Sequence, residues 1–489
     1  MWKIDEKIAT PLYVQLYTQI KADILNGTLK AGTKLRSSRA ISTEMCISRN
    51  TANLAYDSLF AEGLISSQPR IGYYVENLDI GTCQQSHASA CKCGVYDCTC
   101  DCKGCTCNNS NNSEAGSAPE QNIIYDFQYG KLLNYELPCN VWHRLIGRCL
   151  REYREDIDWK KNFFGEFGLR TEIQKYISTY RDVNCSAEQI VITTGTQFCL
   201  DIVCRLLKFL NKDRGMRRGI AMEEPGYDQS RVILENNDLR IYPMELDQHG
   251  AAVKSIAGAE AIAAYVTPSH QFPTGIVMPL SRRQELSEWA NGKNAFIIED
   301  DYNCHFQHGV RPLPAIQSLC PDRVFYIGGF SELFPCINVS YMVVPQTMLG
   351  LLHKLYDNYA PFTSFLTQKS LEMFMREGYW ESHLRKMRKN QKIKCEALIS
   401  ALKNKFGDSI HISGFQAGLH LLVHARWNIK EDELISRAYQ AGVGVYPVSK
   451  YWANPQKRED KTVLLNYGGI SPQDIPVAVD LLYNAWCKK

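Results

Sequence analysis

The sequence predicts two folded domains, an N-terminal winged helix-turn-helix and a larger α/β domain, joined by a cysteine-rich linker. Three observations carry this prediction. Short helical patterns precede a β-hairpin pattern, a polar Cys/Asn/Ser stretch follows them, and strand-like apolar runs then alternate with helical patterns. We therefore place the domains at 1–77, 78–120 and 121–489, with a small α+β lobe from about residue 390 to 489.

The amino-acid composition limits the classes of protein to which the chain can belong. It has 489 residues, 45% of them hydrophobic and 11% aromatic, which indicates packed cores in two or three domains. The net charge is +3, so nucleic-acid binding must come from a local patch. No signal-peptide pattern and no apolar run of about 18 residues is present, so we expect a cytoplasmic protein with no membrane partner.

The first helix and the helix-turn-helix follow from caps and periodicity. Thr10-Pro11 is an N-cap followed by proline, and apolar residues then recur every four positions until Asn26-Gly27. Ser37 and Ser38 cap a second helix over RAISTEM, and a short turn leads into a third helix that starts at Ser48. The segment LISSQPRIGYYV is then typical of a hairpin wing.

The third helix has the polarity of a DNA-recognition helix. Ala52, Ala55 and Leu59 face inward, whereas the N-terminal turn is polar. Arg49 can reach guanine, and Asn50 can reach adenine or a phosphate, while neighbouring residues are placed for backbone contacts. The alternative is an ordinary solvated helix end. The predicted DNA-binding residues are Arg36, Ser38, Arg39, Ser48, Arg49, Asn50, Thr51 and Gly72.

The segment LRSSRAISTEMCISRNTANLAYDSLFAEGLISSQPRIGYYV closely resembles the winged-helix domain of GntR-type bacterial transcription regulators. The resemblance covers nearly all of residues 10–76 and implies double-stranded operator DNA as a partner.

The linker carries eight cysteines in repeated Cys-x-Cys steps, with His87 among them. Neighbouring thiolates at this spacing can bind one soft cation or bridge two, and the segment looks like a small piece of metallothionein. We predict a soft metal ion such as zinc, cadmium or copper(I); a disulfide-stapled loop, an accidental Cys-rich linker and an iron-sulfur cluster are the alternatives. A polar Asn/Ser/Gly tether follows. The predicted metal ligands are Cys83, Cys91, Cys93, Cys98, Cys100, Cys102, Cys105 and Cys107.

Beyond residue 121 the pattern predicts a mainly parallel sheet covered by helices. The strand-like runs are IVITTG, GIAMEE, AIAAYVT, NAFIIEDD, DRVFYIGG and VSYMVVP. A long helical stretch from Leu351 to about Leu402 follows. FQAGLHLLVHA and TVLLNYGGI then flank another helix and indicate the small lobe, and a cleft between the lobes is a natural ligand site.

Several segments here, among them EEPGYDQSR, YVTPSHQFPTGIVMPLSRR and IIEDDYNCHF, are similar to the fold-type I aminotransferase domain of MocR regulators. In that family a GntR-type winged helix is fused to an aminotransferase-like domain that binds pyridoxal phosphate (PLP), usually as a head-to-tail homodimer. The resemblance implies a phosphate-binding turn at Gly195-Thr196-Gln197, ring contacts from Tyr227 and Asp300, and Tyr302 and Gln271 near the phenolic oxygen. The predicted cofactor residues are Gly195, Thr196, Gln197, Tyr227, Gln271, Asp300, Tyr302 and Ser331.

The stretch YIGGFSELFPCINVSY departs from the family pattern. Glu332 stands after Ser331 where the family has its Schiff-base lysine, and Asn338 stands where the phosphate-binding arginine is expected. No lysine lies between Lys293 and Lys354, and residues 462–469 contain no arginine for a substrate carboxylate. We therefore predict a pocket that forms no covalent PLP adduct, non-covalent binding at most, and no catalytic residues.

Three functions fit the sequence to different degrees. The first is a transcription regulator of MocR architecture in which the aminotransferase-like domain dimerises and the linker senses a soft metal. The alternatives are a regulator that responds to PLP or an amino compound, and an active PLP-dependent aminotransferase with a regulatory winged helix. The missing lysine disfavours both alternatives.

Overall fold

The computed structural model describes most of the chain as two compact units, Met1–Glu114 and Ala115–Lys489. The described residues are Trp2, Ile4, 11–45, 47–61, 64–68, 72–76, 123–156, 162–210, 219–302, 304–306, 313–458 and 460–487.

The first unit is a winged helix-turn-helix, as predicted. Its elements are α1 (Leu12–Leu25), α2 (Ser38–Glu44), α3 (Arg49–Ala61), β1 (Ile65–Gln68) and β2 (Gly72–Val75). The two strands pair antiparallel, and the backbone of residues 32–35 runs alongside β2 through three hydrogen bonds. The wing is therefore held to the turn before α2.

The buried residues of this unit lie on the helix faces that the sequence predicts to point inward. The α1 residues Leu16, Ile20 and Ile24 are buried, and so are Ala52, Ala55 and Leu59 of α3. Tyr56 is also buried, and its hydroxyl donates a 2.6 Å hydrogen bond to the carbonyl of Arg36. The side chain of Ser37 caps α2 by accepting from the amide of Ala40, as the sequence predicts.

The second unit contains ten helices in its described residues. They are α4 (Cys139–Glu152), α5 (Phe167–Arg181), α6 (Thr196–Leu210), α7 (Asp228–Asn236), α8 (Leu280–Lys293), α9 (Leu349–Tyr356), α10 (Phe365–Arg376), α11 (Tyr379–Phe406), α12 (Glu431–Gln440) and α13 (Asp474–Cys487).

The strands of this unit alternate with the helices in its first half. They are β3 (Tyr125–Asp126), β4 (Ile190–Thr193), β5 (Gly219–Glu224), β6 (Ile241–Asp247), β7 (Gly250–Ala251), β8 (Ala261–Val266), β9 (Phe296–Asp300), β10 (Val324–Gly329), β11 (Ser340–Val343), β12 (Ile410–Ser413), β13 (His420–Ala425), β14 (Val443–Gly444), β15 (Tyr446–Pro447) and β16 (Thr462–Asn466).

The large lobe is built on an eight-stranded sheet in the order β4-β11-β10-β9-β8-β5-β6-β7. Pairing is parallel from β10 through β9, β8 and β5 to β6, whereas β11 runs antiparallel to both β10 and β4 and β7 runs antiparallel to β6. Strands β4, β5, β9 and β10 are buried along their whole length, which explains why they are mainly apolar in the sequence, with acidic residues only at the carboxyl ends of β5 and β9. The mainly parallel sheet is confirmed.

The small lobe is a four-stranded antiparallel sheet, β12-β13-β16-β15, packed with α12, α13 and the end of α11. The segment 123–136, which we call the anchor segment, joins this lobe. Its strand β3 pairs parallel with β14, and the backbone amide of Asn466 donates to the carbonyl of Phe127. Glu136 and Lys394 form a buried ion pair at 2.9 Å.

The predicted long helical stretch from Leu351 to about Leu402 is not one continuous helix. The structure divides it into α9, α10 and α11, with breaks around Pro361 and at Gly378. Proline restricts the residue before it, and Gly378 has a φ of 78°, a left-handed conformation that ends one helix before the next begins.

Candidate functional site

The N-terminal turn of α3 presents polar side chains to solvent. Arg49 and Asn50 are exposed. Ser48 is also exposed, and its hydroxyl oxygen accepts from the amide of Thr51 at 3.0 Å while lying 2.8 Å from the hydroxyl of Thr51. Ser48 therefore caps α3, and the two residues placed to contact bases follow it directly.

The other predicted DNA-binding residues surround α2 and the wing. Arg39 is exposed, Ser38 is half-buried, and Arg36 forms an exposed ion pair with Glu44. Gly72 begins β2 with a φ of 130°, a conformation that favours glycine, and a side chain there would contact Lys34. The predicted residues thus lie on the loop before α2, on α2, at the start of α3 or on the wing, where a phosphate backbone can be contacted.

The second unit holds a cavity of about 280 Å³ at the carboxyl ends of the parallel strands. This edge of an open α/β sheet is where ligands bind in such folds. The lining residues come from the turns after β4, β5, β8, β9 and β10, from β8 and β11 and from the anchor segment; they are Tyr129, Thr194, Gly195, Thr196, Gln197, Phe198, Tyr227, Tyr265, Thr267, Ser269, His270, Phe272, Asp300, Tyr302, Ser331, Asn338 and Ser340.

Asp300 is the acidic group of the cavity. It ends β9, and its Oδ2 accepts a 2.6 Å hydrogen bond from the hydroxyl of Tyr265, while Oδ1 accepts from the amide of Tyr302 at 3.2 Å. Burial raises the pKa of Asp300 to about 6, against the lowering effect of these hydrogen bonds. The carboxylate is therefore ionised at neutral pH but incompletely solvated.

The opposite end of the cavity is the turn before α6. Gly195 has a φ of 84°, and α6 begins at Thr196, so the first backbone amides of α6, which have no partner within the helix, lie beside the cavity. Asn338 occupies this end with a φ of 37°, and its Nδ2 donates to the hydroxyl of Thr194 at 3.1 Å. An amide group thus lies beside the turn that the family resemblance assigns to phosphate.

Glu332 is buried at the position where the family has its lysine. Its side chain is 6% exposed, and neither carboxylate oxygen accepts a hydrogen bond from any residue that the structure describes. Burial, reinforced by the nearby charges of Asp301 and Asp300, raises the pKa of Glu332 well above its usual range. A buried carboxyl thus lies at the position where the family resemblance expects an amine.

One wall of the cavity is aromatic. The ring of Phe272 lies 4.9 Å from that of Tyr129 and 5.4 Å from that of Tyr227, the second pair being edge-on at 85°. The imidazole of His270, which also lines the cavity, lies 4.6 Å from that of His420. Burial lowers the pKa of His420 to about 4, so this imidazole is neutral at pH 7.

Of the predicted cofactor residues, the structure brings Gly195, Thr196, Gln197, Tyr227, Asp300, Tyr302 and Ser331 to the cavity. Gln271 is the exception. Its Nε2 donates to Glu223 and to the carbonyls of Pro225 and Phe272, and its Oε1 accepts from Thr274, so the side chain braces the loop instead of lining the cavity. The neighbouring His270 and Phe272 line it instead.

Sequence reasoning missed four of the six aromatic lining residues, and one of them, Phe272, directly follows the predicted Gln271. Tyr265 lies inside β8, and its side chain points to the same side of the sheet as the cavity, where alternation along the strand could have indicated it. Phe198 lies in the first turn of α6. Tyr129 comes from the anchor segment, far from the other lining residues in sequence, and no local signal marks it.

The predicted metal ligands Cys83 to Cys107 lie outside the described residues. Within the described ranges no group of three or more His, Cys, Asp or Glu side chains is arranged to hold a metal ion. The described cysteines are free thiols, among them Cys199 and Cys204, which are buried in the core.

The cavity does not fit covalently bound PLP. No lysine or arginine is among the side chains that line it in the described chain, so it offers neither an amine for a Schiff base nor a guanidinium for a phosphate. The groups that would face the ring, Asp300, Tyr227 and Tyr302, are in place. The cavity therefore keeps the ring-binding half of such a site and lacks the cationic half.

Comparison with known families matches both units. Residues 12–75 match the model of bacterial regulatory proteins of the gntR family, and residues 161–458 match that of aminotransferase class I and II. Among described helices of the chain, none is long and apolar enough to cross a membrane.

Relatives over the full length are regulators. The chain is 32% identical to the uncharacterized HTH-type transcriptional regulator YdeL of Bacillus subtilis, covering 99% of this chain and 98% of the relative. It is 30% identical to the probable rhizopine catabolism regulatory protein MocR of Rhizobium meliloti, covering 99% and 96%. The solved structure of LysN, an α-aminoadipate aminotransferase of Thermus thermophilus, superposes with a TM-score of 0.63 at 21% identity over 74% of this chain and 92% of that one, which shows the shared fold.

Proposed function

The chain belongs to the transcriptional regulators that fuse a GntR-type helix-turn-helix domain to an aminotransferase-like domain, and on this premise we propose that its second domain regulates DNA binding without holding PLP covalently. One observation carries the proposal. A buried, unpartnered Glu332 and an amide at Asn338 occupy the positions where the family resemblance expects a lysine and an arginine. The same losses count against an aminotransferase activity and against a response that needs a covalent cofactor.

Borohydride trapping tests whether the chain forms a covalent adduct with PLP. The full chain is incubated with PLP, reduced and mapped by peptide mass spectrometry. We expect no absorbance band of a bound Schiff base and only scattered adducts on surface lysines. Stoichiometric modification of a single lysine that blocks the cavity contradicts the proposal.

Operator recognition is proposed to reside in the α3 turn. Arg49 and Asn50 are exposed directly after the Ser48 cap, which supports base contacts from these two residues. The operator sequence is obtained by selecting, from a random DNA pool, the sites that the protein binds. We expect Arg49→Ala to cost about 1–3 kcal/mol and to relax specificity at one position, whereas Arg39→Ala weakens binding to all sequences and lowers the salt slope by about 1. Equal losses of specificity in both variants contradict these roles.

The active assembly is proposed to be a head-to-tail homodimer. Support comes from the resemblance to MocR regulators and from the geometry of winged helices, which bind two half-sites as a pair. Sedimentation of the full chain tests the proposal: a dimer at micromolar concentration is expected, and a monomer that binds operator with full affinity contradicts it.

The linker is proposed to bind a soft metal ion and to couple it to DNA affinity. Eight cysteines between the two domains support this, because thiolate coordination would cross-link the segment that connects them. Protein purified without chelator is analysed for metals, and operator affinity is measured with zinc, cadmium or copper(I). A variant with all eight cysteines changed to serine should lose both metal and response, while Cys139→Ser and Cys487→Ser, at exposed thiols, should keep both. An operator affinity indifferent to all three metals removes the sensing role.

A further inference from the structure

We propose that the cavity of the second domain binds a small organic cation, an amine or a protonated nitrogen heterocycle without a phosphate group. The inference rests on the proposed absence of a covalent cofactor and names the class of ligand that takes its place. Three properties of the described residues support it: the charge of the lining, the aromatic walls and the unpartnered carboxyl of Glu332.

The described lining carries one negative side chain, Asp300, and its basic side chain is the imidazole of His270. Asp300 is its one carboxylate, and no lysine or arginine is among the described side chains around the cavity. The nearby arginines are engaged elsewhere: Arg231 pairs with Glu224 at 3.2 Å, and Arg181 pairs with Asp301 at 2.6 Å. An anionic ligand would therefore face Asp300 without a counter-charge, whereas a cation would supply one.

The walls are rich in aromatic side chains, which are able to bind cations. Six of the lining residues are aromatic, and their π faces attract a cation placed over them within about 6 Å. Phe272, Tyr129 and Tyr227 form one contiguous wall. The hydroxyl of Tyr265 and the backbone amide of Tyr302 both donate to the carboxylate of Asp300. The aromatic lining residues are Tyr129, Phe198, Tyr227, Tyr265, Phe272 and Tyr302.

Glu332 places a second, buried carboxyl beside the lining of the cavity. Its carboxyl is buried next to Ser331, a lining residue, and interacts electrostatically with Asp300 and Tyr302. Neither of its oxygens has a hydrogen-bond partner among described residues. A buried carboxyl without a partner is unfavourable, and a nearby cation relieves the penalty by favouring its ionised form.

One feature of the cavity favours anions instead. The N-terminus of α6 at Thr196 carries about half an elementary positive charge. This partial charge is smaller than the full charge on Asp300, and Asn338 already places an amide beside the turn. The cation preference should therefore prevail in the part of the cavity near Asp300, and a ligand that bound through the α6 end would reveal itself by an anion preference.

The cavity volume limits the size of the ligand. At about 280 Å³ it lies at the lower end of the range of small-molecule sites, which suits a one-ring molecule. Benzylamine, benzyl alcohol and benzoate are suitable probes, because they share one ring and differ mainly in charge.

Calorimetric titration of the full chain with these three probes and with PLP tests the proposal. We expect benzylamine to bind about tenfold or more tightly than benzyl alcohol, and benzoate and PLP to bind more weakly than benzylamine. Asp300→Asn should reduce benzylamine affinity about tenfold while leaving benzyl alcohol within about twofold. Tyr227→Leu, which keeps the charge of the site, should also weaken benzylamine more than benzyl alcohol.

The matched control is Glu235→Gln, the same loss of charge at an exposed position of α7, which should not change any affinity. Tighter binding of benzoate or PLP than of benzylamine overturns the proposal. So does benzylamine binding that survives both cavity substitutions, or the failure of benzylamine to bind at millimolar concentration. These outcomes leave operator binding and borohydride trapping unaffected, so a failure here is distinguishable from a failure of the proposed function.

Discussion

The hydroxyl of Tyr265 donates a 2.6 Å hydrogen bond to Oδ2 of Asp300, and it accepts in turn from the hydroxyl of Ser230 at 2.9 Å. This chain of hydrogen bonds is buried and stabilises the ionised carboxylate. It explains how an acidic side chain with little access to water remains charged at neutral pH beside an aromatic wall.

Replacing Tyr265 by phenylalanine should destabilise the second domain. The change removes a donor to a buried carboxylate and an acceptor of Ser230, and we expect a loss of about 1–3 kcal/mol in the free energy of unfolding. Because the lost bond favours the ionised form of Asp300, whose pKa is about 6, the loss should grow between about pH 5 and pH 8. Urea unfolding at both pH values measures it.

Tyr439→Phe is the control for this prediction, because Tyr439 is 41% exposed. Its effect should stay within about 0.5 kcal/mol at either pH. A pH-independent loss in Tyr265→Phe would mean that the hydrogen bond does not stabilise an ionised Asp300.

Glu332→Gln should stabilise the protein more as the pH rises. A carboxyl whose folded pKa is raised contributes its stability below its unfolded pKa of about 4.5 and loses it as the pH rises towards the folded pKa. The glutamine does not titrate. The difference in unfolding free energy should therefore grow by about 1.4 kcal/mol per pH unit between the two pKa values.

Thermal and urea unfolding from acidic to alkaline pH check this expectation for Glu332. The exposed Glu235→Gln should show no such trend. A difference that is flat with pH would show that Glu332 ionises normally in the folded protein.

The central strands and the helix-turn-helix were predictable because each depends on a local pattern. Strands β4, β5, β9 and β10 are buried on both faces, so they are apolar runs bounded by turns. The α1 residues Leu16 and Ile20 mark their buried face by spacing alone. The loss of Lys and Arg was visible for the same reason, since the positions lie in a short continuous motif.

The parts that sequence reasoning missed depend on contacts between distant segments. The direction of the Gln271 side chain depends on acceptors at Glu223 and Pro225, and the position of Tyr129 depends on where the anchor segment packs. The ion pair between Arg36 and Glu44 likewise joins a loop to the end of α2. Periodicity within one segment carries no information on any of these three contacts.

Breaking the buried pair between Arg181 and Asp301 should be strongly destabilising. The two side chains are 3% and 0% exposed, and the Asp301 carboxylate also accepts from the hydroxyl of Tyr326 at 2.6 Å. Arg181→Ala leaves a buried carboxylate without its counter-charge, so we expect a loss of about 3–5 kcal/mol. Urea unfolding of the full chain provides the measurement.

Lys175→Ala serves as the comparison for Arg181, because it breaks a surface pair with Glu172 on the same helix, α5. Its effect should stay within about 0.5 kcal/mol. Similar losses in the two variants would show that the Arg181 pair is not specially stabilising.

Ser48→Ala should loosen the start of α3. The side chain caps the helix through the amide of Thr51, and removing such a cap costs about 1 kcal/mol. In hydrogen–deuterium exchange of the full chain we expect the first turn of α3 to exchange about fivefold faster, and operator affinity to fall for all sequences alike.

Ser58→Ala is the matched control for Ser48, because Ser58 lies within α3 and its hydroxyl donates only to the carbonyl of Leu54. Alanine is a better helix former at such an interior position, so exchange should be unchanged or slower. Unchanged exchange in Ser48→Ala would mean that water replaces the cap without cost.

The anchor segment connects a wall of the cavity to the start of the described part of this domain. Tyr129, which lines the cavity, lies six residues after Ile123, where the described part of this domain begins. The segment between these two residues is fixed to the small lobe by the pairing of β3 with β14. The side-chain amide of Asn466 also holds it, by donating to the carbonyl of Gln128 at 2.7 Å. A rotation of the small lobe therefore carries residue 123 with it. Any ligand that presses on Tyr129 acts a few peptide bonds from the point at which the preceding chain is attached.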